Sequence, residues 1–106
     1  MGAVQDATFR VVIVGPGVIG VHGQIDAACS DEFVVALTHA INSQPTAMVV
    51  VDCTEVRFID SSGMRALFQV DRKAATAGHT MRLLVSPPLR RVLEIAGMKD
   101  ILDMEP

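Results

Sequence analysis

Phe9-Arg-Val-Val-Ile-Val14 is dense in β-branched residues, and after a break the same composition returns over Val18-Ile-Gly-Val-His-Gly-Gln-Ile25. Both runs read as strands. The break, Gly15-Pro16-Gly17, is turn chemistry, so the two strands are expected to form a hairpin. From Asp31 to about Asn42 the pattern changes to one apolar stripe, Phe33, Val34, Leu37 and Ile41, at helical spacing. Asp26 or Ser30 is the expected cap. Ala47-Met-Val-Val-Val51 is continuously apolar and predicts a strand buried on both faces.

Thr54-Glu-Val-Arg-Phe-Ile59 then reads as an apolar-rich connector into a helix that starts near Asp60 and runs to about Ala77. Met64, Leu67, Phe68, Asp71, Ala74 and Ala75 are expected on or near its core side, and Gly78 ends it. Met81-Arg-Leu-Leu-Val85 predicts another strand. Ser86-Pro87-Pro88 starts a short helix, since proline is tolerated in a first turn whose N–H groups have no intrahelical partner. Leu89, Val92, Leu93 and Ile95 form its apolar face, Gly97 closes it, and Ile101 to Met104 supplies a last short strand. The order is ββαβαβαβ. It predicts an α/β domain with a mixed or mostly parallel sheet of four to five strands and helices packed on it.

Length and composition narrow the function. The chain has 106 residues, half of them hydrophobic, which is one domain with enough apolar content to fold. Four Phe and no Trp or Tyr leave no aromatic platform for stacking single-stranded nucleic acid. The net charge of −3 gives no global attraction for a phosphate backbone. Charge is distributed unevenly: residues 1–53 hold one base and five acids, whereas residues 54–106 hold eight bases and seven acids. No apolar run approaches the ~20 residues of a membrane span, and no signal peptide opens the chain. Cys29 and Cys53, with no CxxC, fit a reducing cytoplasm, and His22, His39 and His79 are too scattered for a metal site. No metal and no cofactor is expected.

Two short motifs carry candidate chemistry. Gly15-Pro-Gly-Val-Ile-Gly20 has the letters of a dinucleotide-binding fingerprint. The residues after it are strand-forming rather than helical, and Asp52 lies well beyond the ~20-residue offset of the acidic partner, so a hairpin turn is the better reading. Asp60-Ser61-Ser62-Gly63 stands at the start of a strong helix. Asp60 is placed to cap the amides of residues 62 and 63, and Ser61 in the first turn sits at the positive end of the helix. A phosphoryl group there would meet unpaired backbone N–H groups. Gly63 leaves room where another molecule's phosphate or backbone would approach. A plain helix start explains the same letters. A serine nucleophile is not supported, since G-x-S-x-G is absent and no His lies near Ser61 in sequence.

Gly23-Gln-Ile-Asp26, Val49-Val-Val-Asp52 followed by Val56-Arg-Phe-Ile-Asp60-Ser-Ser-Gly63, and Ser86-Pro-Pro-Leu-Arg-Arg-Val-Leu-Glu-Ile-Ala-Gly-Met98 together resemble a STAS domain. The resemblance is to the bacterial anti-sigma factor antagonists and covers roughly Phe9 to Met104 of a single domain spanning 1–106. It implies a cytoplasmic, non-enzymatic regulator of transcription in a stress response. By that resemblance the phosphoacceptor is Ser61, ahead of Ser62. Asp26, Asp60, Ser62, Gly63 and Met64 form the surrounding phosphorylation and partner surface, with Asp26 beside Ser61. The implied partners are an ATP-dependent serine kinase that is also the anti-sigma factor, and a PP2C-type phosphatase. The alternative within the family is a non-phosphorylated scaffold or transport-accessory subunit that uses the same helix for docking. Gln24 departs from the family's usual acid. The family's closing helix after the last strand has no counterpart before Pro106, which favours open apolar sheet surface and, with it, a homodimer. Arg57, Arg65, Arg72 and Lys73 are the expected partner-facing charges.

Overall fold

A computed structural model describes residues 8–99 and 102–105. Its strands are β1 (Phe9–Gly15), β2 (Val18–Ile25), β3 (Met48–Ile59), β4 (Thr80–Leu84) and β5 (Asp103–Glu105). The helices are α1 (Ser30–Asn42), α2 (Ser61–Thr76) and α3 (Pro87–Ile95). The strands form one sheet in the order β1-β2-β3-β4-β5. β1 and β2 pair antiparallel and every other pair is parallel. The mixed α/β architecture expected from the alternation of patterns is therefore present. Ile101, part of the expected last strand, lies outside the described residues.

The hairpin turns at Gly17, whose φ of +74° is a left-handed conformation. Its N–H donates to the Gln44 side-chain oxygen at 2.7 Å, which ties the turn to the end of α1. A strand, not a helix, comes after these glycines, so no helix N-terminus is present to hold a pyrophosphate.

One sheet face is the core floor. Ile19, Val21, Val49, Val51, Met81 and Leu83 are fully or almost fully buried there, beneath Phe33, Leu37 and Ile41 of α1 and Leu67 and Val70 of α2. Phe9 packs edge-on against Phe33 with ring centroids 5.4 Å apart, which fastens β1 to α1. The other face is open. Arg10, Val12 and Asp103 are exposed, and His22, Val50, Asp52, Arg82 and Leu84 are half-buried. β3 is thus buried on one face and not, as its continuous apolar run suggested, on both.

Four other expectations are corrected. Residues 54–59 are not a connector but the second half of a twelve-residue β3, paired with β2 to its end at Ile59. β4 accompanies β3 only over residues 48–52, and beyond that point Leu89 and Val92 of α3 lie beside Val56 to Ile59. Neither Asp26 nor Ser30 caps α1: Cys29 holds that position without a side-chain bond, because the turn from the Asp26 carbonyl to the Cys29 N–H places Asp26 too far upstream. The buried stripe of α2 is Gly63, Ala66, Leu67, Val70 and Ala74, rotated from the expected one. Small residues let this face approach the sheet, leaving Met64, Phe68 and Asp71 half-buried at the margin and Ala75 exposed. On α3 only Leu89 and Leu93 are buried, and Ile95 is 81% exposed. The other helix signals hold. Ser86 caps α3 through Leu89 N–H, and Gly78 and Gly97 take left-handed φ values just past their helices.

Both cysteines are free and buried. Burial, with the Asp52 charge adding to it, pushes the Cys53 thiol up to about 12 and keeps it protonated. No helix among the described residues is long and apolar enough to cross a membrane. No group of three metal-ligating side chains converges among them.

Candidate functional site

The site forms where β2 and β3 end together, Ile25 opposite Ile59. Asp60 follows with extended backbone as the N-cap of α2, and one carboxylate oxygen accepts the Gly63 N–H at 2.9 Å. Its other oxygen accepts the Ala27 N–H at 3.3 Å. One side chain thus caps the helix and holds the β2–α1 loop. That loop is shaped in turn by Asp26, whose carboxylate accepts the Ala28 N–H at 3.1 Å. The structure brings the Asp26 loop to the start of α2, and the link is Asp60.

Ser61 is exposed in the first turn, Ser62 is half-buried, Gly63 is buried and Met64 is half-buried. The N–H groups of Ser61 and Ser62 precede any possible intrahelical acceptor, so they present partial positive charge at this end. Of the two amides expected to be capped by Asp60, only that of Gly63 is bonded. The reason for Gly63 also differs from the expected one. A Cβ there would overlap the Ile25 carbonyl oxygen and lie 2.7 Å from Ile59 Cγ1. The missing side chain makes room for the chain's own backbone, not for an incoming molecule.

Ser61 also lines a shallow hollow of about 290 Å³ with Met64, Arg65, Phe68, Ala96 and Met98. Neither Phe68 nor Met98 is expected at the site from sequence. The signal for Phe68 is its place one turn beyond Met64, which reads instead as core. Arg72 lies over the Phe68 ring, 5.7 Å from its centroid, and extends this surface along the helix. The four expected partner-facing bases are therefore divided. Arg65 and Arg72 belong to this surface, Lys73 lines a hollow with Val34 and Thr38 of α1, and Arg57 lines two others, one on the sheet with Arg10 and one beside α3.

The histidines stand apart from Ser61. His79 holds the Thr46 carbonyl at 2.9 Å beyond the C-terminal end of α2, a helix ~24 Å long at 1.5 Å per residue. His22 lies on the open sheet face opposite Arg10. Neither pairs with Ser61 as a general base would.

A family model described as STAS domain matches residues 10–106. No curated protein matches the chain. Among solved structures, an anti-sigma factor antagonist from Mycobacterium paratuberculosis is 22% identical with a TM-score of 0.74, covering 92% of this chain and 86% of that one. The Bacillus cell fate determinant SpoIIAA in its phosphorylated form is 19% identical with a TM-score of 0.62, covering 92% and 91%. A sulfate transporter family protein from Wolinella succinogenes is 22% identical with a TM-score of 0.65, covering 87% and 75%. At these identities the likeness is one of fold.

Proposed function

The chain belongs to the STAS domain family, and on that premise we propose that it is an anti-sigma factor antagonist, a substrate and ligand rather than a catalyst. In the unphosphorylated state it docks on a cytoplasmic serine kinase that is also an anti-sigma factor, and the sigma factor is released. The kinase then transfers the γ-phosphoryl group of ATP to Ser61 Oγ; ADP leaves, and the hydroxyl proton passes to a base of the kinase. Docking ends with that step, and a PP2C-type phosphatase reverses it by hydrolysis.

The observation that carries this reading is the position of Ser61. Its side chain is exposed in the first turn of α2 and opens onto a mostly apolar hollow formed by Met64, Phe68 and Met98. A kinase can reach this hydroxyl without unfolding the helix, whereas Ser62 is half-buried beside it. A phosphoryl group adds ~1.5–2 negative charges. Helix amides and the Arg65 guanidinium offset part of that charge within the domain, which stays folded. A partner surface that fitted the neutral serine and the apolar hollow must now desolvate a dianion, so affinity falls.

The test is intact-mass analysis after incubation with the cognate kinase and ATP. One added phosphoryl group, mapped to Ser61, is the expected result. The fold likeness to a sulfate transporter family protein favours a second reading, a non-phosphorylated docking module. Tight partner binding with no mass change would select it.

A further inference from the structure

The open sheet face carries a second concentration of charge that the Ser61 site does not use. Arg10 of β1, His22 of β2 and Glu55 of β3 occupy one row across three adjacent strands, since Arg10 pairs with His22 and His22 with Glu55. Two irregularities in the β2–β3 ladder shape this face. The first, between Gly20 and His22, inserts an extra residue in β3 and turns Glu55 onto the open face. The second, between Gly23 and Gln24, leaves Arg57 unpaired with any β2 residue, and Arg57 lines both a neighbouring hollow against α3 and the hollow over this row. The hollow has a volume of about 660 Å³, within the range of small-molecule sites.

Its wall is built into the backbone. Gly23 has a φ of +100°, and a Cβ there would overlap the Thr8 carbonyl oxygen. That oxygen accepts the Gln24 N–H at 2.7 Å and so holds the start of β1 over the hollow. Among the described residues, neither Arg10 nor Arg57 has a carboxylate within ion-pair distance, although Glu55 lines the same space. Two unpaired guanidiniums, one imidazole and one carboxylate make a locally positive site in a chain of net charge −3.

We propose that this hollow binds a phosphate monoester of a polyhydroxylated small molecule. The two guanidiniums match the charge and fork geometry of a phosphate dianion. Glu55 can only accept hydrogen bonds when ionised, so it selects a ligand that also presents hydroxyl donors. His22, between Arg10 and Glu55, can bond either group. The site shares no residue with the Ser61 hollow, and the proposal does not depend on phosphorylation there.

The experiment is a ¹H–¹⁵N NMR titration of the whole chain with inorganic phosphate, ribose 5-phosphate and succinate at matched ionic strength. Saturable shifts confined to residues 8–11, 22–23 and 55–57 are expected, with ribose 5-phosphate at least fivefold tighter than phosphate. Arg10→Gln and Arg57→Gln, both at exposed positions, should each weaken binding at least fivefold, and Glu55→Gln should erase the preference for the sugar ester. No saturable shift, shifts centred on Ser61, equal binding of succinate, or unchanged affinity in both arginine variants would overturn the proposal.

Discussion

Gly63 of α2 and Ile25 of β2 are in such close contact that any side chain at position 63 would overlap the Ile25 carbonyl oxygen. This approach sets where the first turn of α2 stands relative to the end of β2. It therefore sets where Ser61 is displayed, two residues upstream.

Gly63→Ala consequently has to push α2 away from the sheet. The helix gains a better helix former, worth at most about 1 kcal/mol. The overlap is with backbone, which yields poorly, and overpacking costs about 1–3 kcal/mol or more. Urea denaturation should show a net loss of stability. An unchanged midpoint would show that the contact has slack.

Asp60→Ala removes two acceptors at once. The cap alone is worth about 0.5–2 kcal/mol. Hydrogen exchange should accelerate at both the Gly63 and Ala27 amides, because each loses its carboxylate partner. Acceleration at Gly63 alone would mean that the loop is held by something else.

Ser61→Asp separates stability from recognition. An acid in the first helical turn contributes about 0.3–1 kcal/mol in favour of the helix, opposed here by adjacent Asp60. Thermal stability should thus stay within about 1 kcal/mol of the parent while affinity for the cognate kinase falls at least tenfold, and Ser61→Ala should bind as tightly as the unphosphorylated protein. Calorimetry and a pull-down read the two effects, and full affinity in Ser61→Asp would sink the charge-switch account.

Asp71 gives a pH prediction. Burial holds its carboxyl above the usual range, with Arg72 pulling it down and Asp103 pushing it up. In the window between its unfolded and its higher folded pKa, the native state binds more protons than the unfolded state. The Asp71 contribution to stability therefore falls as pH rises through that window, and the loss persists at neutral pH. Asp71→Asn should be more stable than the parent at pH 7, with the difference shrinking in acid. A constant difference across pH would assign the effect to something other than ionisation.

Gln44→Leu leaves the Gly17 N–H without its buried acceptor. An unsatisfied buried donor costs about 1–3 kcal/mol. Equilibrium unfolding should report a loss in that range, and no loss would mean that water replaces the amide.

How much of this is legible in the residues varies with the range of the interaction. The hairpin, both later helix starts and their glycine stops are readable because caps, turns and proline positions act over three or four neighbours. Residues 54–59 read as a connector because Thr54, Glu55 and Arg57 break the alternation of a half-buried strand. Two ladder irregularities turn those polar side chains outward, and nothing local announces them. The stripe of α2 is rotated for a related reason. Met64 and Phe68 are the larger apolar residues, but the face that enters the core is the one whose small residues, Gly63 and Ala66, permit contact.

The sequence by itself determined the order of elements, the α/β class and the serine at the start of α2, all consequences of periodicity and short-range capping. Only the tertiary structure decided that Asp60 ties the start of α2 to the β2–α1 loop, that Gly63 serves its own backbone, and that Arg57 shares a hollow with Arg10 rather than Arg65. Each of those depends on parts of the chain brought together by packing the sheet against its helices, and a contact of that kind leaves no periodic trace along the chain.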